Sequence, residues 1–226
     1  SNVPGEKTSY YQKIFSLPEP FTNLFFEESH ITDLSKKSYE TVKEKIKDAS
    51  YGVFVPNSIK KKNIIYKGGA QWMGASIDND KSIMYLTSND IPFMIWLEKI
   101  DTLDYYEYSL NTEFLVDHLG YPGSKPPWGR LSSIDLNTGK KIWEVPFGEY
   151  EELTKQGIPK TGTYNFGGVT GTAGGLLFAT GALDNKVSAF DSSNGKELWS
   201  FKMSHSGSNP PTIFEHLGEQ YVIVVA

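Results

Sequence analysis

The chain has 226 residues and a net charge of −5. Its 38% hydrophobic and 22% charged residues exclude wholesale disorder and a coiled coil. The acidic balance argues against a nucleic-acid partner, and no apolar run of about 18 residues is present to span a membrane. Because the sequence has no cysteine, disulfides, cysteine-ligated zinc, iron–sulfur clusters and thiol nucleophiles are excluded.

The N-terminal part divides into two segments. Residues 1–30 are rich in proline and aromatic residues without a helical or strand period, which predicts an ordered, irregular segment lying over a core. Residues 32–49 place apolar residues at helical spacing and predict one helix near 35–48. Thr32 or Ser35 is suited to cap its N-terminus.

From residue 51 the pattern becomes β, and the aromatic share of 14% with 21 Gly and 12 Pro favours short strands and turns. We predict a blade over 51–100, followed by an irregular insert over 101–127 that covers a sheet edge or the mouth of a site. The candidate strands are 53–55, 63–66, 73–77, 83–87 and 93–97.

An internal repeat carries the main signal of the sequence. Residues 130–145 and 186–201 align at an offset of 56 residues. Five identical pairs define the repeat: Ser132/Ser188, Asp135/Asp191, Gly139/Gly195, Lys140/Lys196 and Trp143/Trp199.

Each repeat predicts a strand, a tight turn and a return strand that carries the tryptophan. The aspartate starts the turn by accepting backbone N–H bonds, and the glycine supplies the positive φ that closes it. With the preceding hairpin, the unit has about four strands, as a propeller blade has. We therefore predict tryptophan-motif blades over 128–204 and the start of an incomplete closing blade over 205–226. Trp143 and Trp199 are expected in equivalent buried places between adjacent sheets.

These units resemble the tryptophan-docking motifs of quinoprotein dehydrogenases that depend on pyrroloquinoline quinone (PQQ). The stretches 126–150 and 161–201 are similar to the branch that includes membrane-bound glucose dehydrogenase, and so are 3–21, 51–59 and 68–89. The resemblance implies an all-β, eight-bladed propeller with PQQ near its axis, stacked on a tryptophan and coordinating Ca²⁺. It also implies a carboxylate base acting on a sugar, polyol or alcohol hydroxyl, with electrons passing to a quinone or cytochrome.

The resemblance further implies which parts are missing. The family's catalytic aspartate and lysine and its main calcium ligands lie before the segment that matches Val3, so no catalytic or metal-binding residue is nominated here. We interpret residues 1–226 as a single C-terminal portion of about three to four blades. PQQ and Ca²⁺ are expected in the intact parent, and this chain alone need not bind either. Without the proton-abstracting residue, the isolated chain is expected to be inactive.

Four residues are candidates for contact with the cofactor. The resemblance places Trp72 and Gln71 where the family has an Asn-Trp pair beside PQQ, and Gly69 lets backbone approach a ligand closely. Asn165 begins another run that the family has near its axis. The alternatives are ordinary blade packing for Trp72 and a glycine-rich approach to an inner strand for 165–168. The four histidines form no metal-ligand spacing.

Two other functions remain open. One is a non-catalytic propeller that serves as a scaffold for protein–protein interaction, and the other is a degenerate dehydrogenase that has lost PQQ. The family-specific segments outside the repeats favour the enzyme. We expect a periplasmic location, with a parent anchored to the inner membrane by an N-terminal segment missing here, and self-association through exposed blade edges.

Overall fold

The computed structural model describes residues 11, 13, 15–100 and 107–226. The other residues, 1–10, 12, 14 and 101–106, belong to the two segments predicted as irregular. The prediction that those residues are irregular therefore lies outside the described part of the chain. So does most of the stretch 3–21, which resembles the quinoprotein family.

The predicted helix is α1, Lys36–Lys45. Ser35 caps it, because its hydroxyl oxygen accepts a hydrogen bond of 3.0 Å from the backbone N–H of Ser38. Val42 is fully buried and packs with Phe26 from the N-terminal segment in one hydrophobic cluster. The helix therefore covers the sheet and also holds part of the irregular segment against it.

Two further helical turns were not predicted. A 3₁₀ turn covers Glu28–His30, and the helix α2 covers Glu151–Lys155. None of the helices in the described ranges is long and apolar enough to cross a bilayer.

Thirteen strands lie in the described residues and form sheets of seven, four and two strands. They are β1 Ser50–Tyr51, β2 Asn63–Ala70, β3 Ser76–Asp78, β4 Ile83–Lys99, β5 Tyr108–Phe114, β6 Gly129–Asp135, β7 Lys140–Pro146, β8 Val169–Gly171, β9 Leu176–Ala179, β10 Lys186–Asp191, β11 Glu197–Lys202, β12 Thr212–His216 and β13 Glu219–Ile223.

The seven-stranded sheet is organised around the 17-residue strand β4. The first part of β4 pairs with β3 and β6, and β7 pairs with β6, which gives four antiparallel strands. The second part pairs with β2 and β5, and β1 adds a short parallel pairing to β2. One strand thus belongs to a four-strand unit at one end and to an extension at the other.

The second sheet is a four-strand unit in the order β11-β10-β9-β8. The hairpin β12–β13 follows it. Its leading segment contacts the second sheet, because the hydroxyls of Thr170 and Thr180 donate to the backbone oxygens of Pro211 and Asn209 at 2.6 and 2.8 Å. These contacts leave the outer strand β11 uncovered.

A hydrophobic cluster joins the two larger sheets. Tyr85 and Leu131 of the first sheet pack with Leu177 and Phe190 of the second, and Trp143 packs against them. Trp143 therefore lies between the sheets as predicted. Trp199 does not, because its side chain is 51% exposed and stacks on Phe201 of its own strand, at 6.4 Å between ring centroids.

Several element boundaries differ from the sequence-based expectation. No strand forms at 53–55, and the separate strands expected at 83–87 and 93–97 are one continuous strand. The insert 101–127 contains β5, so it is not wholly irregular. Strands from 51–100 and from 128–204 share the first sheet, because β4 pairs with β6.

Candidate functional site

The two segments that carry the candidate cofactor residues meet at β4. The segment Gly69–Trp72 runs along one edge of β4, where Gly69 pairs with Asn89 and the backbone N–H of Gln71 donates to the oxygen of Thr87 at 3.1 Å. The segment 165–168 lies across the face from which Asn89 projects. The structure therefore brings all four candidate residues to one end of the first four-strand unit.

Two consecutive glycines shape the first segment. Gly68 and Gly69 have φ of +122° and +62°, values that residues with a side chain rarely adopt. A Cβ atom on Gly68 would lie 2.8 Å from the Cβ of Asn89, whereas one on Gly69 would meet nothing within 4 Å. Gly68 is thus required by the close approach to β4, and Gly69 leaves its backbone open to a ligand.

The indole of Trp72 is free of packing in the described residues, since its side chain is 86% exposed. Packing of this indole against another blade of the complete protein stays an alternative to contact with the cofactor. Gln71 beside it is half-buried. An exposed planar indole next to an amide can stack on a flat ring and donate or accept one hydrogen bond at the ring's edge.

Asn165 is fully buried, and its amide is fixed by two hydrogen bonds. Its Nδ2 donates to the backbone oxygen of Ser88 at 3.0 Å and to Oδ1 of Asn89 at 2.7 Å. Its own Oδ1 has no hydrogen-bond partner among the described residues. Two residues further on, a Cβ on Gly167 would lie 2.0 Å from the backbone oxygen of Thr180, so this position requires glycine.

The two segments also touch each other. A Cβ on Gly168 would lie 3.4 Å from the Cβ of Met73, and the hydroxyl of Thr87 donates to the oxygen of Gly167 at 3.0 Å. The backbones of the two segments that carry Gly69, Gln71, Trp72 and Asn165 therefore lie close together at this end of β4. We call this region the candidate cofactor site.

A charged network lies next to this region. Asp90 is buried and accepts a hydrogen bond of 2.6 Å from Nη2 of Arg130, whose Nη1 donates to Glu144 at 2.7 Å. Asp90 also accepts from the backbone N–H and the Nδ2 of Asn23, both at 2.9 Å. The network thus holds the N-terminal segment against β4.

The network shifts the pKa values of its carboxyl groups in opposite directions. Burial raises the pKa of Asp90 above its usual value, although the charge of Arg130 opposes this. Burial also acts to raise the pKa of Glu144, but the hydrogen bond from Lys141 and the charge of Arg130 outweigh it, and the pKa is lowered. Glu144 is therefore held as a carboxylate by its two cationic neighbours.

Sequence reasoning missed the residues that hold this region together. Thr87, Ser88, Asn89 and Asp90 form a polar stretch inside the otherwise apolar strand β4, and all four are at most 1% exposed. Buried polar residues inside a strand need partners, so this stretch was a readable signal. Their partners Asn165 and Arg130 are distant in the chain and could not be read from it.

No group of three or more histidine, aspartate or glutamate side chains in the described ranges is arranged to hold a metal ion. In the described residues, no carboxylate is hydrogen-bonded to Trp72 or Gln71. Within these residues the site has a stacking surface and amide groups, and no pair of groups arranged for acid–base catalysis.

Comparison with known proteins assigns the chain. Residues 1–222 match the family described as "PQQ: Glucose/ethanol/alcohol dehydrogenase, beta-propeller domain". The chain belongs to this family. The predicted resemblance to the PQQ-dependent quinoprotein dehydrogenases is confirmed at this level.

Two curated relatives illustrate the similarity. The probable quinate dehydrogenase (quinone) of Xanthomonas campestris pv. juglandis is 32% identical over 188 residues, which cover 70% of this chain and 24% of that protein. The glycerol dehydrogenase large subunit of Gluconobacter oxydans (strain 621H) is 30% identical over 219 residues, which cover 80% and 30%. The chain thus spans less than a third of the length of either relative.

A solved structure shows the same fold. The quinohemoprotein alcohol dehydrogenase ADHIIG from Pseudomonas putida HK5 superposes with a TM-score of 0.53 at 20% identity, over 77% of this chain and 28% of that one. The predicted all-β partial propeller is therefore confirmed. In the described residues it consists of a seven-stranded sheet that contains one four-strand unit, a second sheet of four strands and a hairpin.

The residues at the candidate site fit a planar quinone. The exposed indole of Trp72 offers a stacking face, the open backbone at Gly69 allows close approach, and the amide of Gln71 can bind a carbonyl or carboxylate oxygen. The unpaired Oδ1 of Asn165 is an acceptor left without a donor in the described residues.

Proposed function

We propose that this chain is part of a PQQ-dependent dehydrogenase that oxidises a hydroxyl group of a sugar, polyol or alcohol and passes the electrons to a quinone or cytochrome. The family assignment supports the PQQ dependence, and the activities named for its relatives support the substrate class. The observation that carries the proposal is the indole of Trp72, which is 86% exposed beside the open backbone of Gly69.

In this proposal the chain supplies one wall of the cofactor pocket. Trp72 would stack on the cofactor's ring system, and Gln71 would orient it by a hydrogen bond at the ring edge. Gly69 would allow backbone contact with the ring. When bound, PQQ supplies the two-electron acceptor for oxidation of the hydroxyl-bearing carbon, which no amino-acid side chain offers.

The proposal assigns the proton-abstracting base and the Ca²⁺ ligands to parts of the protein other than these 226 residues. The isolated chain would then bind the cofactor weakly and turn over no substrate. We further propose a periplasmic location, as implied by the resemblance to the glucose dehydrogenase branch, and a C-terminal position of this chain within the whole protein.

The proposal is tested on the complete protein that contains this chain, loaded with PQQ and Ca²⁺. Dye-linked oxidation of glucose, glycerol, quinate and ethanol would be measured together with PQQ affinity from quenching of tryptophan fluorescence. Trp72→Ala is expected to weaken PQQ binding about tenfold or more, corresponding to about 1.4 kcal/mol of lost stacking.

Trp199→Phe is the matched control, because it removes an exposed indole far along the chain from the candidate residues. It should leave the affinity within twofold of wild type. A complete protein that neither binds PQQ nor oxidises any of these substrates would contradict the proposal. That result would favour the scaffold alternative, for which the exposed apolar strand β11 is the supporting feature.

A further inference from the structure

Asn89 lies at the point where the two segments of the candidate cofactor site meet. It is fully buried, and its side chain makes three hydrogen bonds to Asn165. Its Nδ2 donates to the backbone oxygen of Asn165 at 2.8 Å, and its Oδ1 accepts from the backbone N–H at 2.9 Å and from Nδ2 at 2.7 Å. One side chain thus fixes both the backbone and the amide of Asn165.

The same residue also fixes the other segment. Asn89 pairs with Gly69 in the β2–β4 ladder, and its amide group lies against Gly68, where a Cβ would be 3.5 Å from its Nδ2 and 3.6 Å from its Cγ. Two residues earlier, Thr87 accepts the N–H of Gln71 on its backbone oxygen and donates its hydroxyl to Gly167. The relative position of the two segments is therefore set by this short stretch of β4.

The orientation of the Asn165 amide indicates that this arrangement serves more than packing. Both hydrogen bonds that its Nδ2 donates go to residues of β4. Its buried Oδ1, in contrast, has no hydrogen-bond partner in the described residues. Structures rarely leave a buried acceptor unpaired without a functional or solvent-related reason. The amide of Asn89 also pairs the backbone N–H and oxygen of Asn165, which an apolar pair of similar volume at 89 and 165 would leave unpaired.

We propose that Asn89 is a positioning residue that sets the separation of the two walls of the candidate cofactor site, Gly69–Trp72 and Asn165–Gly168, without contacting the cofactor itself. This inference rests on the proposed function. It predicts that loss of the Asn89 amide displaces both walls at once, although only one of them is hydrogen-bonded to the Asn89 side chain.

The first experiment uses the complete protein that contains this chain, without cofactor. Amide hydrogen exchange would be compared in wild type, Asn89→Ala and Val42→Ala, a variant that loses buried contacts under α1, remote from the site. Asn89→Ala should speed exchange about tenfold at both walls beyond any change in Val42→Ala. Thr87→Val, which removes one hydroxyl bond, should affect only the neighbourhood of Gly167. Unchanged exchange at Gly69–Met73 in Asn89→Ala would overturn the inference.

The second experiment measures PQQ affinity of the complete protein at a temperature where every variant is folded. Asn89→Ala should raise the Kd at least tenfold, while Val42→Ala should stay within twofold of wild type. Equal losses in the two variants would show a merely structural role and overturn the inference. If wild type itself binds no PQQ, the proposed function fails, and the exchange experiment still decides whether Asn89 positions the two walls.

A conservative variant covers the case in which Asn89→Ala does not fold. Asn89→Ser keeps a shorter polar side chain at this position without adding a buried charge, and it loses the reach of the amide to Asn165. Its effects on exchange and affinity should lie between those of wild type and Asn89→Ala. Wild-type behaviour in both assays would overturn the inference.

Discussion

Trp143 of the first sheet docks on Gly195 of the second. A Cβ built on Gly195 would lie 2.6 Å from Cε3 of the indole, and the indole Nε1 donates to the backbone oxygen of Ser192 at 3.0 Å. Gly195 has a φ of +73°, as its turn requires. The repeat motif therefore joins neighbouring units, since the tryptophan of one contacts the turn of the next.

This contact predicts that Gly195→Ala is strongly destabilising. The new methyl group collides with a partly buried indole and is held at a positive φ, so we expect a loss of about 2–4 kcal/mol in the free energy of unfolding. Gly139→Ala is the control at the equivalent turn, where φ is +70° but the nearest atom, in Leu17, is 3.3 Å away. It should lose only about 1 kcal/mol. Equal losses in urea denaturation would contradict the docking account.

The two motif tryptophans should differ in the same measurement. Trp143→Phe removes a packed ring system and the bond to Ser192, and should cost about 2–3 kcal/mol. Trp199→Phe changes a side chain that is half exposed and should cost less than about 0.5 kcal/mol. A loss at Trp199 as large as that at Trp143 would show that the outer face of β11 is covered in solution, as self-association would do.

The repeat was sufficient to predict this docking in part. The spacing of Asp, Gly and Trp gave the turn and the strands, because these residues act through local backbone geometry. The exposure of Trp199 could not be predicted from its own motif. The exposure of Trp199 depends on which other part of the protein packs against β11. The residues of β11 themselves do not show which part that is.

At the candidate site, too, part of the arrangement could be predicted from the sequence and part could not. Trp72, Gln71 and Gly69 are neighbours in the chain, and the resemblance placed them together. The hydrogen bonds from Asn89 to Asn165 join residues 76 positions apart, so the sequence alone carried no signal for the pair. The polar stretch in β4 showed that partners were needed, without showing which residues they were.

Arg130 should be essential for stability, because it neutralises the buried carboxylate of Asp90. Arg130→Met leaves that charge unpaired and should cost about 3–5 kcal/mol. The double variant with Asp90→Asn removes the charge as well and should recover at least half of this loss. A double variant no more stable than Arg130→Met in thermal unfolding would contradict the account.

The lowered pKa of Glu144 predicts that the protein loses stability at acidic pH. Its pKa is lowered from the ordinary 4.5 in the folded state, so its stabilising effect is complete above that value and is lost as the pH falls through the folded pKa. The urea midpoint should therefore fall between about pH 6 and pH 3 more steeply in wild type than in Glu144→Gln. Glu215→Gln, at an exposed position in β12, should keep the wild-type slope. A wild-type slope in Glu144→Gln would contradict this assignment.

We propose that this chain forms one wall of a PQQ site. The most direct test is an experimental structure of the complete protein with PQQ bound. We predict that the ring system of PQQ stacks on the indole of Trp72 at about 3.5–4 Å, with Asn165 on the adjacent wall. A structure in which PQQ is bound elsewhere and the indole of Trp72 stays exposed to solvent would contradict the claim.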